Sequence, residues 1–264
     1  MINYRVIHIG EIVLSKGDLD RFEPVVRDGL ITFASLINEL NVFIRLVVLS
    51  MSTRPQDPTL LKSAYIQESV LTRVLSAKIY EGMKALDDFE KRADRNGIVL
   101  SGEILTCLGE AKKMKADWFF NFSKDLRNKV TNHYLYGAAE QGYAGVGESH
   151  RMEFIEASNL LASFYPAAEE TIFLGFFERA YQVEHGKPLD ADARHQWVLW
   201  NVRAGNSLHR VFQLIVIWSL KRYLPKRKFK KKHLFLEPEY STAHGVASLP
   251  IELEKSRFKR PPPS

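Results

Sequence analysis

The chain has 264 residues, 45% of them hydrophobic and 26% charged, with a formal net charge of +6. That length buries one large core, or one core with an accessory segment, and that balance excludes global disorder. A single cysteine, Cys107, excludes an internal disulfide, and no Cys/His cluster has zinc spacing, so neither a metal nor another cofactor is expected.

The charge is unevenly placed. From Lys221 to Ser264 there are 12 Lys+Arg and 4 Asp+Glu, which leaves 25 and 27 for residues 1–220. The basic character belongs to the C-terminal stretch and the body is near neutral. Met1–Arg5 lacks the basic-then-apolar order of a signal peptide. The greasiest stretch, Leu30–Met51, contains Asn38, Glu39, Asn41 and Arg45. It reads as a buried helix and not as a membrane span, and a cytoplasmic location is expected.

Residues 1–28 form a mixed N-terminal arm, in which Tyr4–Ile9 is either a short strand or irregular. After Asp28-Gly29, apolar residues recur at spacings of three and four from Leu30 to Val48, which predicts a helix ending before Pro55 and Pro58. A second helix is expected from Thr59 to Arg95, with Ile66, Val70, Val74, Leu75, Ile79, Met83, Leu86 and Phe89 inward and Asn96-Gly97 as its stop. A third starts at Ser101, with Ile104, Leu105, Leu108, Ala111 and Met114 inward. It is expected to run through the aromatic cluster Trp118–Phe122 to Tyr136, where Gly137 stands as a C-cap.

Residues 137–150 are glycine-rich and read as a flexible loop; Gly142, Gly145 and Gly147 follow no strand and are no dinucleotide fingerprint. Arg151–Ile155 suggests a short strand, a helix follows Pro166, and another runs from about Ala191 to Leu224. The expected fold is all-α, an antiparallel bundle of long helices with a basic, proline-containing tail. Its parts are an arm at 1–28, a helical core at 29–140, further helices of the same bundle at 141–224, and an extended or disordered tail at 225–264.

The run Asp125-Leu126-Arg127-Asn128-Lys129-Val130-Thr131-Asn132-His133-Tyr134 is dense in reactive groups. Arginine offers a permanently charged planar fork for phosphate, histidine moves a proton near neutral pH, and asparagine both donates and accepts. Such a set acts on a phosphodiester without a metal: a histidine deprotonates a ribose 2′-OH while an arginine holds the developing charge. The bland reading is an ordinary helix end whose cations complement the helix dipole.

Arg127, the polar Asn128 and His133 five positions beyond it resemble the signature of the HEPN superfamily. Asn41-Val42-Phe43-Ile44-Arg45-Leu46 in the first long helix adds a likeness to its abortive-infection branch, over roughly residues 29–140. The resemblance implies a metal-independent endoribonuclease with a composite dimeric site, in a toxin–antitoxin, abortive-infection or stress-response role. It equally admits a relative without catalysis that serves as an RNA-binding or protein-interaction module. Some toxins of this kind carry a tyrosine two positions after the histidine; here that position is Leu135.

In an unbroken helix Arg127 and His133 stand roughly 9 Å apart along the axis and about 120° around it. They converge on one phosphate only if the last turn frays or tightens, or if two copies of the 116–136 helix face each other across a two-fold axis. A homodimer is therefore expected.

Asp125 and Lys129 read as an i,i+4 salt bridge, and Glu68 and Glu81 of the second helix could reach the site. Arg203 and His209 repeat the spacing in apolar surroundings and read as coincidence or a core histidine. Trp118-Phe119-Phe120 reads as core or dimer interface. Eight cations fall between Lys221 and Lys232. Lys226, Arg227, Lys228, Lys230, Lys231 and Lys232 are the candidate RNA contacts, against the alternative of a solvated chain end; an acidic antitoxin would also suit them.

Overall fold

The computed structural model describes residues 5–52, 55–131, 136–144, 153–155 and 163–236. Along the chain these form β1 (Arg5–Glu11), α1 (Lys16–Leu19), α2 (Pro24–Ser52), α3 (Pro58–Arg95), α4 (Gly102–Met114) and α5 (Trp118–Leu126). A π-helical turn (Arg127–Thr131), α6 (Tyr136–Tyr143) and α7 (Pro166–Ala168) come next. A second π-helical turn (Glu169–Leu174), α8 (Gly175–His185), α9 (Ala191–Tyr223) and β2 (Lys230–Leu236) complete the described elements. The fold is all-α.

α3 is the spine. Its 38 residues span about 57 Å. Asp57 opens it by accepting the backbone N–H groups of Thr59 and Leu60, and Pro58 needs no N–H partner in the first turn. Asn96 closes it, and Gly97 follows at φ +66°, where a Cβ would be strained. α2 runs antiparallel to α3: Gly29 lies against Phe89, and Glu39 pairs with Lys78 at 2.6 Å. α9 runs parallel to α3, with Ser76 against Asn201 and Gly82 against Leu208. A Cβ on Gly82 would come within 2.8 Å of both Leu36 and Leu208, so this glycine lets the three long helices close on one another.

The core between them holds Phe33, Ile37 and Leu40 of α2, Leu75, Ile79 and Met83 of α3, and Leu208, Val211 and Ile215 of α9. One polar contact crosses this core: Ser76 donates to Asn201 Oδ1 at 2.6 Å, and Asn201 Nδ2 donates to the Trp197 carbonyl. Sliding α9 along α3 would leave the buried Ser76 hydroxyl and Asn201 Oδ1 without each other, so the pair fixes their register.

Several expectations change. α2 begins at Pro24, six residues before the apolar run, because a proline is tolerated in a first turn. It is buried on one face only. Phe33, Ile37, Leu40 and Val47 are enclosed, while Ile31, Val42, Leu46 and Val48 are exposed. Among the described residues it is also a helix long and apolar enough to cross a membrane, by length and composition. In α3, Val70 is exposed and Thr72 and Ser76 are buried, because a stripe with a period near 3.6 drifts over ten turns. In α4, Leu105 is exposed and Cys107 takes its place inside.

The third predicted helix is interrupted twice. Asp117 accepts the Phe119 N–H and restarts the helix as α5, and beyond Leu126 the backbone widens into a π-helical turn. Gly137 is no C-cap, since it lies within α6, and residues 136–143 of the expected loop are helical. A Cβ on Gly142 would sit 2.0 Å from the Thr171 carbonyl oxygen, so the glycine is there for a backbone-to-backbone crossing. Of the suggested strand at 151–155, Ile155 makes a single antiparallel bridge to Phe164, and residues 151–152 lie outside the described residues.

The first and last described segments pair. β1 and β2 form an antiparallel ribbon with Arg5 opposite Leu236 and Glu11 opposite Lys230. Of Tyr4–Ile9, residues 5–9 are strand and Tyr4 lies outside the described residues; residues 230–236 of the basic stretch are extended, and residues 237–264 lie outside the described residues.

Candidate functional site

α5 is anchored by its aromatic side. Phe122 and Leu126 are buried, and Trp118 stacks on Phe122 at 5.0 Å and on Phe177 at 6.0 Å. The cluster Trp118–Phe122 therefore joins the core instead of offering a platform to a base. Anchoring this side turns Asn121, Lys124 and Asn128 outward.

Where α5 ends, the π-helical turn Arg127–Thr131 begins. Such turns carry one residue more than the α-helical ladder accommodates and redirect the side chains that follow. Arg127 is half-buried with its Nε 2.7 Å from Glu81 Oε1, and its Nη1 donates to Asn128 Oδ1 at 3.0 Å. The Arg127 Nε–H is not directed at the carboxylate, and neither atom has a hydrogen bond among the described residues. The pair is held by charge at close range more than by a directed bond. Lys129 bonds Asp125 at 3.2 Å and lies 5.8 Å over the Phe176 ring, which ties the turn to α8.

The sequence-predicted set is thus brought together in part. Arg127 and Asn128 share a hydrogen bond, and Glu81 joins them from α3. Asn132 and His133 lie outside the described residues. The last turn before them is widened, not tightened. Glu68 does not meet Arg127; it lines a cavity farther along α3. His209 is half-buried and its Nε2 meets Gln213 Nε2 at 3.1 Å, so it is not a core histidine.

The six candidate cations occupy the turn after α9 and the start of β2. Arg227 donates to Asp18 Oδ2 at 2.8 Å, and Lys232 pairs with Glu11 at 2.5 Å. The Asp18 carboxyl is held below its usual range, first by the Ser15 backbone N–H, then by the Ser15 hydroxyl and by Arg227. Two of the six are therefore fastened to acids. Lys226 and Lys228 are exposed in the turn before the ribbon, and Lys230 and Lys231 are exposed on it.

Sequence reasoning missed a third region. A cavity of about 540 Å³ opens between the start of α3, the second π-helical turn and the start of α9. Glu169 is 12% exposed at its side, with Ser69 donating to Oε1 and Arg73 Nη2 3.2 Å from Oε2. Arg73 also lies 5.1 Å over the Phe173 ring. Burial pushes the Glu169 carboxyl above its usual range, against the opposing pull of Arg73 and Ser69. Glu169 stands 100 residues beyond Ser69 with no shared motif, so only the fold shows the cluster.

No family model matches the chain, and no curated protein or solved structure matches it either.

Proposed function

We propose that the chain is a metal-independent endoribonuclease of HEPN type, cytoplasmic, with a toxin, abortive-infection or stress-response role. Arg127 holds the charge that develops on the phosphodiester, and Asn128 steadies its guanidinium. His133 moves the proton to or from the ribose 2′-OH. Two copies of the chain face each other through the 116–136 segment and complete one cleft. Lys226, Arg227, Lys228, Lys230, Lys231 and Lys232 neutralise the RNA backbone, and an acidic antitoxin competes for the same cations.

The observation that carries this reading is the half-exposed Arg127 guanidinium, hydrogen-bonded to its motif neighbour Asn128. The turn that begins at Arg127 is widened and not tightened, so two facing copies are needed to bring Arg127 and His133 onto one phosphate. Glu81 adds a carboxylate that fixes the arginine while no phosphate is bound.

The test is cleavage of RNA by the full chain in excess chelator. Cleavage should persist in the wild type and fall about a hundredfold in Arg127→Ala and in His133→Ala. Activity that both variants keep sinks the reading, and a strictly monomeric wild type sinks the composite cleft. The second reading is an RNA-binding module without catalysis. It is favoured by the occupation of Arg127 by Glu81, and it predicts RNA retention that weakens steeply with salt and no cleavage in any form of the chain.

A further inference from the structure

The cavity beside Glu169 is built for a ligand of definite character. Its volume of about 540 Å³ lies in the ~300–1,000 Å³ range of small-molecule sites. Phe173, Phe177 and Trp197 form an aromatic wall, with the Trp197 ring 5.4 Å from each of the other two. Trp197 is 3% exposed, and its indole N–H has no hydrogen-bond partner among the described residues. A buried donor without an acceptor is costly, so a ligand that supplies the acceptor is favoured over one that cannot. An acyl chain has none to supply along its body. A planar heterocycle with ring nitrogens or carbonyls does.

Two further features narrow the class. Glu169 accepts from the Ser69 hydroxyl at Oε1 and stands 3.2 Å from Arg73 Nη2 at Oε2, and a carboxylate oxygen has room for a further donor, so an exocyclic amine finds an acceptor there. Arg194 and His195 also line the cavity, are exposed, and have no side-chain partner among the described residues. Together they offer an anchor for a phosphate outside an apolar recess. Lys62, the remaining lysine of the lining, is already paired with Glu153.

We infer that this cavity is a mononucleotide site: the base lies against Phe173, Phe177 and Trp197, and the phosphate is held by Arg194 and His195. The inference does not rest on the Arg127 reading. Ser69 and Glu81 are 12 residues apart on α3, about 18 Å along its axis, so cavity and motif are separate places.

The experiment is calorimetric titration of the full chain with each of the four 5′-nucleoside monophosphates, beside the matching nucleosides and inorganic phosphate. At least one monophosphate should bind, its nucleoside about tenfold more weakly, and inorganic phosphate more weakly still. Arg194→Ala and His195→Ala, both at exposed positions, should each reproduce about the tenfold loss without lowering the melting temperature. Trp197→Phe keeps the ring, removes the N–H, and should weaken the monophosphate and its nucleoside alike. Absence of binding by all four monophosphates at millimolar concentration overturns the inference. So does equal binding of inorganic phosphate, or binding that Arg194→Ala and His195→Ala leave unchanged. A 5′-phosphorylated trinucleotide that displaces the bound monophosphate assigns the site to an RNA end, and one that fails to displace it assigns the site to a free nucleotide.

Discussion

The two π-helical turns use α3 in opposite senses. At the first, α3 supplies the acid, Glu81, and the turn supplies the arginine, Arg127. At the second, α3 supplies the arginine, Arg73, and the turn supplies the acid, Glu169. Each partner of the first pair is 39% exposed, whereas those of the second are 15% and 12% exposed. The second turn is also crossed by α6 at Gly142 and braced by Phe173 on Phe177 and Trp197. The same chemistry is therefore a releasable surface pair in one place and part of the interior in the other. Exposure, not residue type, decides which arginine can exchange its carboxylate for another anion.

Substitutions should separate the two turns by size of effect. Gly142→Val drives a side chain into the Thr171 carbonyl and should cost about 3 kcal/mol in denaturant unfolding; a change below ~0.5 kcal/mol would mean that α6 does not cross the second turn. Arg73→Met should cost about 2 kcal/mol. It removes the partner of a buried acid, and the loss is held down because Glu169 can take up a proton.

The pH dependence should run in opposite directions at two carboxyls. The folded-state value of Glu169 lies above its unfolded one. Its stabilising contribution is full below the ordinary carboxylate range and is lost as pH rises through the raised value. The value of Asp18 is depressed. Its contribution is present above the ordinary range and is lost as pH falls through the lowered value. Unfolding of Glu169→Gln followed from about pH 4 to 8 should lack the loss on the rising side, and Asp18→Asn followed from about pH 5 down to about pH 2 should lack the loss on the acid side. Last and smallest, Glu81→Gln should shift stability by less than ~1 kcal/mol, as exposed pairs do. If it cost as much as Arg73→Met, the contrast between the turns would fail.

Much of the bundle was legible because long helices announce themselves. The apolar spacing of α2, the stop at Asn96-Gly97 and the span Ala191–Tyr223 of α9 follow from periodicity and punctuation. Arg127 and Asn128 stood out as neighbours in one motif, but the hydrogen bond between their side chains was seen only in the structure. What stayed hidden depends on partners far away in the chain. The π-helical turn at Arg127 has no Gly or Pro to mark it, and the break at Asp117 is set by where the aromatic side of α5 must point. Glycine at 142 reads as flexibility until Thr171 stands opposite it. The Ser69–Glu169–Arg73 cluster joins residues 100 positions apart, which no spacing rule reaches.

The ribbon of β1 and β2 bears on the order of folding. Arg5 and Leu236 meet across 231 positions, the most distant sequence pairing in the described structure. Closing so long a loop early would forfeit chain entropy with little in return, so the strands join after α2, α3 and α9 have already brought their ends together. Until then Lys230, Lys231 and Lys232 hang on a loose polycation; afterwards they are set at fixed intervals beside Glu11. A newly made chain therefore meets polyanions first as a flexible electrolyte and only later as a shaped surface. If these cations hold RNA as proposed, that hold should change in selectivity at the moment the ribbon zips.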